Sequence, residues 1–372
     1  MIPFFDARAG YAELADELDA AALRALRSGT YVLGDEVAAF EREFAAFCGA
    51  EHCVGVGNGL DALTLILRAL GVGPGDEVVV PAHTYVATWL AVSSVGAVPV
   101  PVEPDPATWN AGAAAVAEAI GPRTRAVICV HLHGRLADVA ALAELCAARG
   151  IPLVEDAAQA HGARQVDGVR AGALATAAAF SFYPTKNLGA HGDGGAVTTS
   201  DPALAERVRR LRNYGSREKY VHEELGVNSR LDPIQAAFLR VKLPQLERAN
   251  ARRRALVARY RAWLNGVPGV VLPAPAGCDH VWHVFAILVE DRERVQAALT
   301  AAGIGTLVHY PIPPHRSQAY AGLGHGPGSF PVTERLSAHA LSLPLFPQLE
   351  PRDVDAVCSA VTAAVAPLAR VP

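Results

Sequence analysis

The stretch Phe180 to Val197, FSFYPTKNLGAHGDGGAV, decides the reading of the chain. The residues before it, AGALATAAAFSF (171–182), carry no charge and read as a buried strand. One lysine, Lys186, follows that apolar run. Gly189, Gly192, Gly194 and Gly195 come next, where a backbone must turn tightly or approach something closely. A lysine beside a desolvated core has a lowered pKa and acts as an amine nucleophile towards a carbonyl. A surface lysine in a strand-to-strand loop is the bland alternative, and on this stretch alone it is the favoured one; the rest of the chain decides against it.

The chain has 372 residues, enough for a large core and usually two domains. Hydrophobic residues make up 51% and charged ones 19%, the balance of a well-buried globular protein and not of a disordered one. A net charge of −4 argues against a general nucleic-acid binder, which carries a basic face. The one dense basic run, Arg252-Arg253-Arg254, falls in a helical pattern and reads as a solvated face. The six cysteines form no CxxC pair, and His131 and His133 are too isolated for a zinc site. MIPFFDARAG lacks the basic start and apolar core of a signal peptide, and the longest uncharged run is broken by Gly96, Pro99 and Pro101. A cytoplasmic protein with no membrane span is the expectation.

Outward from the lysine, strand and helix patterns alternate. A helix is expected over Tyr11–Ser28. A second runs over Asp35–Phe47, with Val37, Phe40, Phe44 and Phe47 on one face. HCVGV reads as a strand running into Gly57-Asn58-Gly59-Leu60, which opens a helix. Backbone N–H groups and the positive dipole end converge at such a start and bind anions. Strands follow in EVVVP, AVPVPVE, RAVICV and IPLVED, with helices between them, including Leu136–Arg149. The fold class expected is therefore α/β, a mostly parallel sheet covered on both faces. Ligands bind past strand C-termini in such sheets. Tyr85, His133, Asp156, His161 and Lys186 all lie there. The polar segment NYGSREKYVHEELGVNSRLDP (213–233) is long for a connector and is a candidate functional loop. A helix from Asp232 is interrupted at Pro244 and continues to Leu264. VWHVFAILVE and GIGTLVHYP read as strands, Asp291–Ala302 as a helix, and Asp353–Leu368 as the last helix. The division expected is a large domain over 1–245 and a smaller α+β domain over 246–372.

Three features need one explanation: an anion-binding helix start at Gly59, an acid at a strand end (Asp156), and Lys186 beyond it. A phosphorylated pyridine aldehyde uses all three. Its phosphate needs N–H donors, its ring nitrogen a carboxylate, and its aldehyde an amine. A nicotinamide-dependent oxidoreductase would instead need GxGxxG after the first strand, which is missing.

VEDAAQAHGA (154–163) followed by SFYPTKNLGAHGDGGAV (181–197) resembles the nucleotide-sugar aminotransferases of the DegT type, a branch of the fold-type I pyridoxal phosphate (PLP) enzymes. The resemblance extends to SGTYVLGDEVAAFEREFA, GNGLDALTLILRALGVGPGDEVVVPAHTYVAT, GVNSRLDPIQAAFLRVKLPQLE and VHYPIPPH, so it covers nearly the whole chain. It implies that Lys186 bonds covalently to the cofactor aldehyde and shuttles the proton, that Asp156 pairs with the pyridine nitrogen, and that Gln159 pairs with the ring hydroxyl. Tyr85 would stack on the ring. Ser181 and the backbone at Gly59 and Leu60 would hold the phosphate. Asn228 would reach that phosphate from the other subunit of a homodimer. His161, Tyr183, Lys219, Arg230 and His309 would line the sugar-nucleotide pocket. Each has a plainer structural alternative, and for Arg230 this is an ion pair with Asp232 or a glutamate. Related PLP-dependent dehydratases carry histidine at the lysine position, so Lys186 argues for amino transfer. The implied reaction moves an amino group from L-glutamate to a nucleotide-linked keto-deoxysugar. GNGLDAL, KNLGAxGDGGA and GVNSRLD are similar to the branch aminating C3 of thymidine-diphosphate (TDP) sugars for secondary metabolism. A 4-keto sugar and a non-catalytic PLP-binding regulator are the alternatives.

Overall fold

The computed structural model describes residues 1–366. Seven strands form its central sheet: β1 (His52–Val56), β2 (Glu77–Pro81), β3 (Val98–Val102), β4 (Thr124–Val130), β5 (Leu153–Asp156), β6 (Ala177–Ser181) and β7 (Gly195–Thr199). Their order is β1-β7-β6-β5-β4-β2-β3. The run from β3 through β6 is parallel, and β7 lies antiparallel to both β6 and β1. The mostly parallel sheet read from the sequence is therefore present. Both faces are covered, which is why the strands read as unbroken apolar runs. Val78 and Val80 pack on one face with Leu63, Ile66 and Trp89, whereas Val79 packs on the other with Leu142 and Leu153. Burying each such side chain stabilises by about 1.5–3 kcal/mol.

Helices α1 (Ala7–Ala12), α2 (Ala15–Arg27), α3 (Asp35–Cys48), α4 (Gly59–Ala69), α5 (Ala87–Ser94), α6 (Ala113–Ala119), α7 (Val139–Arg149) and α8 (Pro202–Leu211) surround the sheet. On α3, Phe40 and Phe44 lie buried against Phe180 and Phe182, as the spacing predicts. Phe44 meets Phe180 edge-on at 4.9 Å. The single helix expected over Tyr11–Ser28 is two helices broken at Glu13–Leu14. The first starts early because the Asp6 carboxylate accepts the Arg8 and Ala9 N–H groups. Likewise α7 starts at Val139, where Asp138 caps it, and not at Leu136.

The polar segment after α8 folds into a small hairpin, β8 (Ser216–Glu218) with β9 (Val221–His222). Helix α9 (Pro233–Lys242) passes through one 3-10 turn containing Pro244 into α10 (Leu246–Leu264). The remaining elements are β10 (Val270–Val271), β11 (Phe285–Val289), α11 (Arg292–Ala301), α12 (Pro331–His339), β12 (Ala340–Leu343) and α13 (Pro351–Val365). The strands form an antiparallel sheet in the order β10-β11-β12. Leu256, Tyr260, Phe285, Ile287, Leu341, Val357 and Val361 make its core, and Ile2 and Phe5 from the chain start pack on it. GIGTLVHYP is not a strand. It makes only isolated bridges, Ile304 with Ile2 and Leu307 with Ser342, because Gly303, Gly305 and Pro311 interrupt any ladder. The end expected for the last helix, Leu368, lies outside the described residues.

Candidate active site

Asp156 ends β5 and is 8% exposed. Its strand partner in β6 is Ala179, so the loop after Ser181 leaves the sheet beside it. That loop begins with a tight turn in which Lys186 N–H donates to the Tyr183 carbonyl (2.8 Å). It returns with Ala190 N–H bonded to the Phe182 carbonyl (2.8 Å). The glycines allow close backbone approach. A Cβ on Gly189 would lie 2.5 Å from the Pro184 oxygen, and one on Gly195 would lie 2.4 Å from Asn58. A Cβ on Gly59 would meet Ser181 at 2.8 Å. The start of α4 is thereby seated on the ends of β6 and β7. Asn58 caps it by accepting the Asp61 N–H (2.8 Å), while helix geometry leaves the first N–H groups, at Gly59 and Leu60, without intrahelical acceptors.

Burial of the half-buried Lys186 amine lowers its pKa to about 8, and the Asp156 carboxylate pulls it partly back up. Burial raises the Asp156 pKa, opposed by hydrogen bonds from Thr88 and Ala158 N–H and then by the charge on Lys186. Thr88 Oγ1 donates to Asp156 Oδ2 (2.9 Å) and Ala158 N–H to Oδ1 (3.2 Å). Thr84 lies 2.8 Å from Thr88 and serves as its donor when Thr88 donates to the carboxylate. The hydrogen-bond donors to Asp156 are neutral and it makes no ion pair among the described residues, a place that a protonated ring nitrogen would fill. A lysine of lowered pKa, a carboxylate with no ion pair among the described residues, and the helix-start N–H groups of Gly59 and Leu60 beside Ser181 fit PLP.

Behind Asp156 lies a second carboxylate, Glu155, which is fully buried. It accepts the N–H groups of Gly172 and Leu174 (3.0 Å each) and contacts His131 Nε2 at 2.9 Å. Ala137 N–H donates to His131 Nδ1, so Nε2 carries the proton and donates to Glu155. This network ties the end of β4 to the end of β5.

Gln159 is held at both ends. Its Oε1 accepts His133 N–H (2.6 Å), and its Nε2 donates to the Tyr310 hydroxyl (2.8 Å). Tyr85 lies against Tyr310, ring centroids 5.3 Å apart. His309 bonds Ser342 Oγ through Nδ1 (2.8 Å) and lies 6.1 Å from the His133 ring. Burial and the Lys186 charge hold its pKa near 4. His133 and His283 are pushed well below their ordinary value by burial, so all three rings are neutral at neutral pH. Tyr183 is exposed at the loop's start.

His161 is placed elsewhere. It is fully buried below the lysine loop, 5.3 Å from Phe180 and 5.7 Å from Phe182, with both ring nitrogens unpartnered among the described residues and the Lys186 charge acting on it. Asn228, Arg230 and Lys219 gather with the hairpin. Asn228 Nδ2 donates to the Tyr214 hydroxyl (2.8 Å). Arg230 donates to Asn213 Oδ1 (2.9 Å) and lies over the Tyr214 ring, and makes no ion pair among the described residues. Lys219 lies over Tyr220. Ser229, between Asn228 and Arg230, does reach the cradle: its Oγ donates to Asp61 (2.6 Å) and accepts Gly57 N–H (2.9 Å).

Residues 12–362 match the DegT/DnrJ/EryC1/StrS aminotransferase family. The chain belongs to it. It is 56% identical over 97% of its length to the erythromycin biosynthesis sensory transduction protein EryC1 of Saccharopolyspora erythraea, covering 99% of that protein. It is 55% identical to the dTDP-3-amino-3,4,6-trideoxy-alpha-D-glucose transaminase of Streptomyces venezuelae, covering 96% of this chain and 95% of that one. The crystal structure of S. venezuelae DesV with a ketimine intermediate superposes with a TM-score of 0.96 at 53% identity, covering 100% of this chain and 99% of DesV. As a member of this aminotransferase family the protein is a sugar aminotransferase using PLP.

The sequence reading missed Thr88, Glu155, Tyr310 and Arg253. Thr88 lies one turn after Thr84 in α5's start, and only the fold aims it at Asp156. Tyr310 was visible as the neighbour of His309 in VHYP. Arg253 contradicts the solvated-face reading of the basic run: it is 2% exposed, and only its neighbour Arg252 faces solvent. Its position on α10 turns it inward, beside Asn250, Val257 and Tyr260 on the buried face.

Proposed function

We propose that this aminotransferase moves the amino group of L-glutamate to C3 of a TDP-linked 3-keto-deoxysugar, as a cytoplasmic homodimer with shared sites. The observation that carries the reading is a buried carboxylate, Asp156 at the end of β5, within charge influence of Lys186 on the loop that leaves the adjacent β6. The similarity to the S. venezuelae transaminase supports the sugar and its carbon. When bound, PLP supplies an electron sink for a carbon acid. Asp156 keeps the ring nitrogen protonated, and Thr88 holds that carboxylate in place. Gly59, Leu60 and Ser181 bind the phosphate, with Asn228 of a second copy completing the shell. Tyr85 covers one ring face, and Gln159 orients the ring through its hydroxyl. With PLP bound, the Lys186 amine, whose pKa burial lowers to about 8, would be the group placed to move a proton at the donor α-carbon. Neutral His309 and His133 offer hydrogen bonds to sugar hydroxyls without a charge. Tyr183, in the turn that carries Lys186, would complete the nucleotide side with Lys219 and Arg230.

The homodimer is supported by the exposed apolar side chains Tyr214, Tyr220 and Leu225 on the hairpin segment. The cytoplasm is supported by six free thiols, which a reducing compartment maintains. No described helix is long and apolar enough to cross a membrane. A second reading, a regulator, is favoured by the names of two relatives: EryC1, and the pleiotropic regulatory protein of Geobacillus stearothermophilus, 44% identical. The deciding experiment is mass spectrometry of products from TDP- and UDP-linked 3-keto and 4-keto sugars with glutamate. An amino-TDP-sugar is expected. A yellow protein that glutamate leaves unchanged supports the regulator.

A further inference from the structure

A cavity of about 480 Å³ opens on the N-terminal side of Lys186. Its walls are the chain start with α1, the loop Pro184–His191, the first turns of α10, and Pro347-Gln348. That volume suits a small-molecule site. Arg253 lines it and is 2% exposed. Its Nη1 donates to the carbonyls of Leu345 (2.9 Å) and Trp282 (3.4 Å), but its Nε is buried without a partner. No carboxylate lies within ion-pair distance of it among the described residues. A buried guanidinium without a counter-charge is costly unless an anion arrives from outside. The rest of the lining adds Arg8, Lys242, Arg248 and Arg252 against Asp6 and Glu13. Glu13 is already engaged, accepting from Arg248 (2.9 Å), Arg252 (2.8 Å) and Gln348 (2.8 Å). Lys242 donates to the Gly189 carbonyl (2.7 Å), which joins the cavity wall to the lysine loop. The excess of positive charge therefore surrounds a space that the reactive lysine also borders.

We propose that this cavity is an anion-binding site for the charged end of a substrate, with the Arg253 guanidinium as its buried anchor. Two sources share that chemistry: the carboxylate of the amino-acid donor and the diphosphate of the nucleotide. Naming these sources rests on the function proposed above. Arg's planar fork suits either, since both present paired oxygens.

The test is calorimetric titration of the full-length, PLP-loaded protein with glutarate in one arm and thymidine diphosphate in the other. Glutarate carries two carboxylates and no amine, so it binds without reacting. At least one probe is expected to bind, and Arg253→Met should weaken it about tenfold or more. Arg253→Lys should weaken it less, and Arg149→Gln, an exposed arginine outside the cavity, should leave it unchanged. The arm that loses affinity names the source. If Arg253→Met does not melt cooperatively, Arg253→Lys and the double variant Arg248→Gln/Arg252→Gln carry the test, each with weaker binding expected. Wild-type protein that binds neither probe, or folded variants that bind like wild type, overturns the proposal. Conversion of the yellow form by L-glutamate is recorded on the same samples. A wild type that converts but ignores both probes sinks this inference alone, whereas one that never takes up PLP sinks the function.

Discussion

Asp156 and Lys186 sit at the buried C-terminal edge of the sheet, whereas Lys219 and Asn228 are exposed on a segment tied back to α8 by hydrogen bonds and ion pairs, with the half-buried Arg230 beside them. The first pair stands on the paired ends of β5 and β6, backed by Thr88, the Glu155–His131 network and the Phe44–Phe180 contact. In the second group Lys219 sits at the turn of a short hairpin beside Tyr220, 81% exposed, and Asn228 and Arg230 follow it, past Leu225, 93% exposed. The contrast teaches that the cofactor half of the site is a product of sheet topology. Under the proposed function, a second copy completes the substrate half.

The largest effect tests the first region. Lys186→Ala should lower turnover by about a thousandfold or more while the protein still melts cooperatively. Near-normal turnover would mean that another amine does the work. The second prediction tests the other region by complementation. Asn228→Ala should weaken cofactor retention and cut activity by about tenfold. Mixing that chain with Lys186→Ala should restore part of the activity, because one site in the mixed dimer then holds both residues. No recovery would show that Asn228 serves its own chain.

Smaller effects sharpen the account of the floor. Gly195→Ala places a methyl 2.4 Å from Asn58, so it should cost about 1–3 kcal/mol in denaturant melts. An unchanged midpoint would mean that the start of α4 is not pressed on β7. The pH dependence follows from the Lys186 amine. Its pKa in the folded chain, about 8, lies below its ordinary value, so uptake of PLP by the apoprotein should speed up as pH rises through 8. The Asp156 charge favours the ammonium form, so Asp156→Asn should move that inflection to lower pH. A rate flat across this range would contradict the desolvated amine. The smallest effect concerns His161. Burial lowers its pKa to about 3, so the unfolded chain binds its proton first, and stability drops as pH falls from about 6.5 towards 3. His161→Phe should flatten the acid side of the melting-temperature profile without harming neutral-pH stability. An unchanged acid slope would place the titration elsewhere.

The sheet, the lysine loop and the α3 aromatic face were legible because apolar spacing and glycine placement act locally. Gly59, Ser181 and Asp156 sit on strand or helix ends and Lys186 on the loop after β6, and sheet topology brings these together. Thr88, Glu155, Tyr310 and Arg253 were not legible, because each acquires its role from a contact between distant segments. Arg253 is the clearest case. A triplet of arginines on a helix reads as solvated, yet the helix rotation buries its middle member. For His161 a place after a strand end did not reveal its burial: its side chain lies under the loop against Phe180 and Phe182. The break between α1 and α2 and the irregular course of 303–311 arise from a cap and from interrupted pairing, which periodicity does not register.

The most direct measurement is borohydride reduction of the purified yellow protein followed by peptide mass mapping. The account predicts one pyridoxyl adduct, on the peptide containing Lys186, and none when position 186 is alanine. An adduct on any other lysine, or a colourless protein that takes up no cofactor, contradicts it.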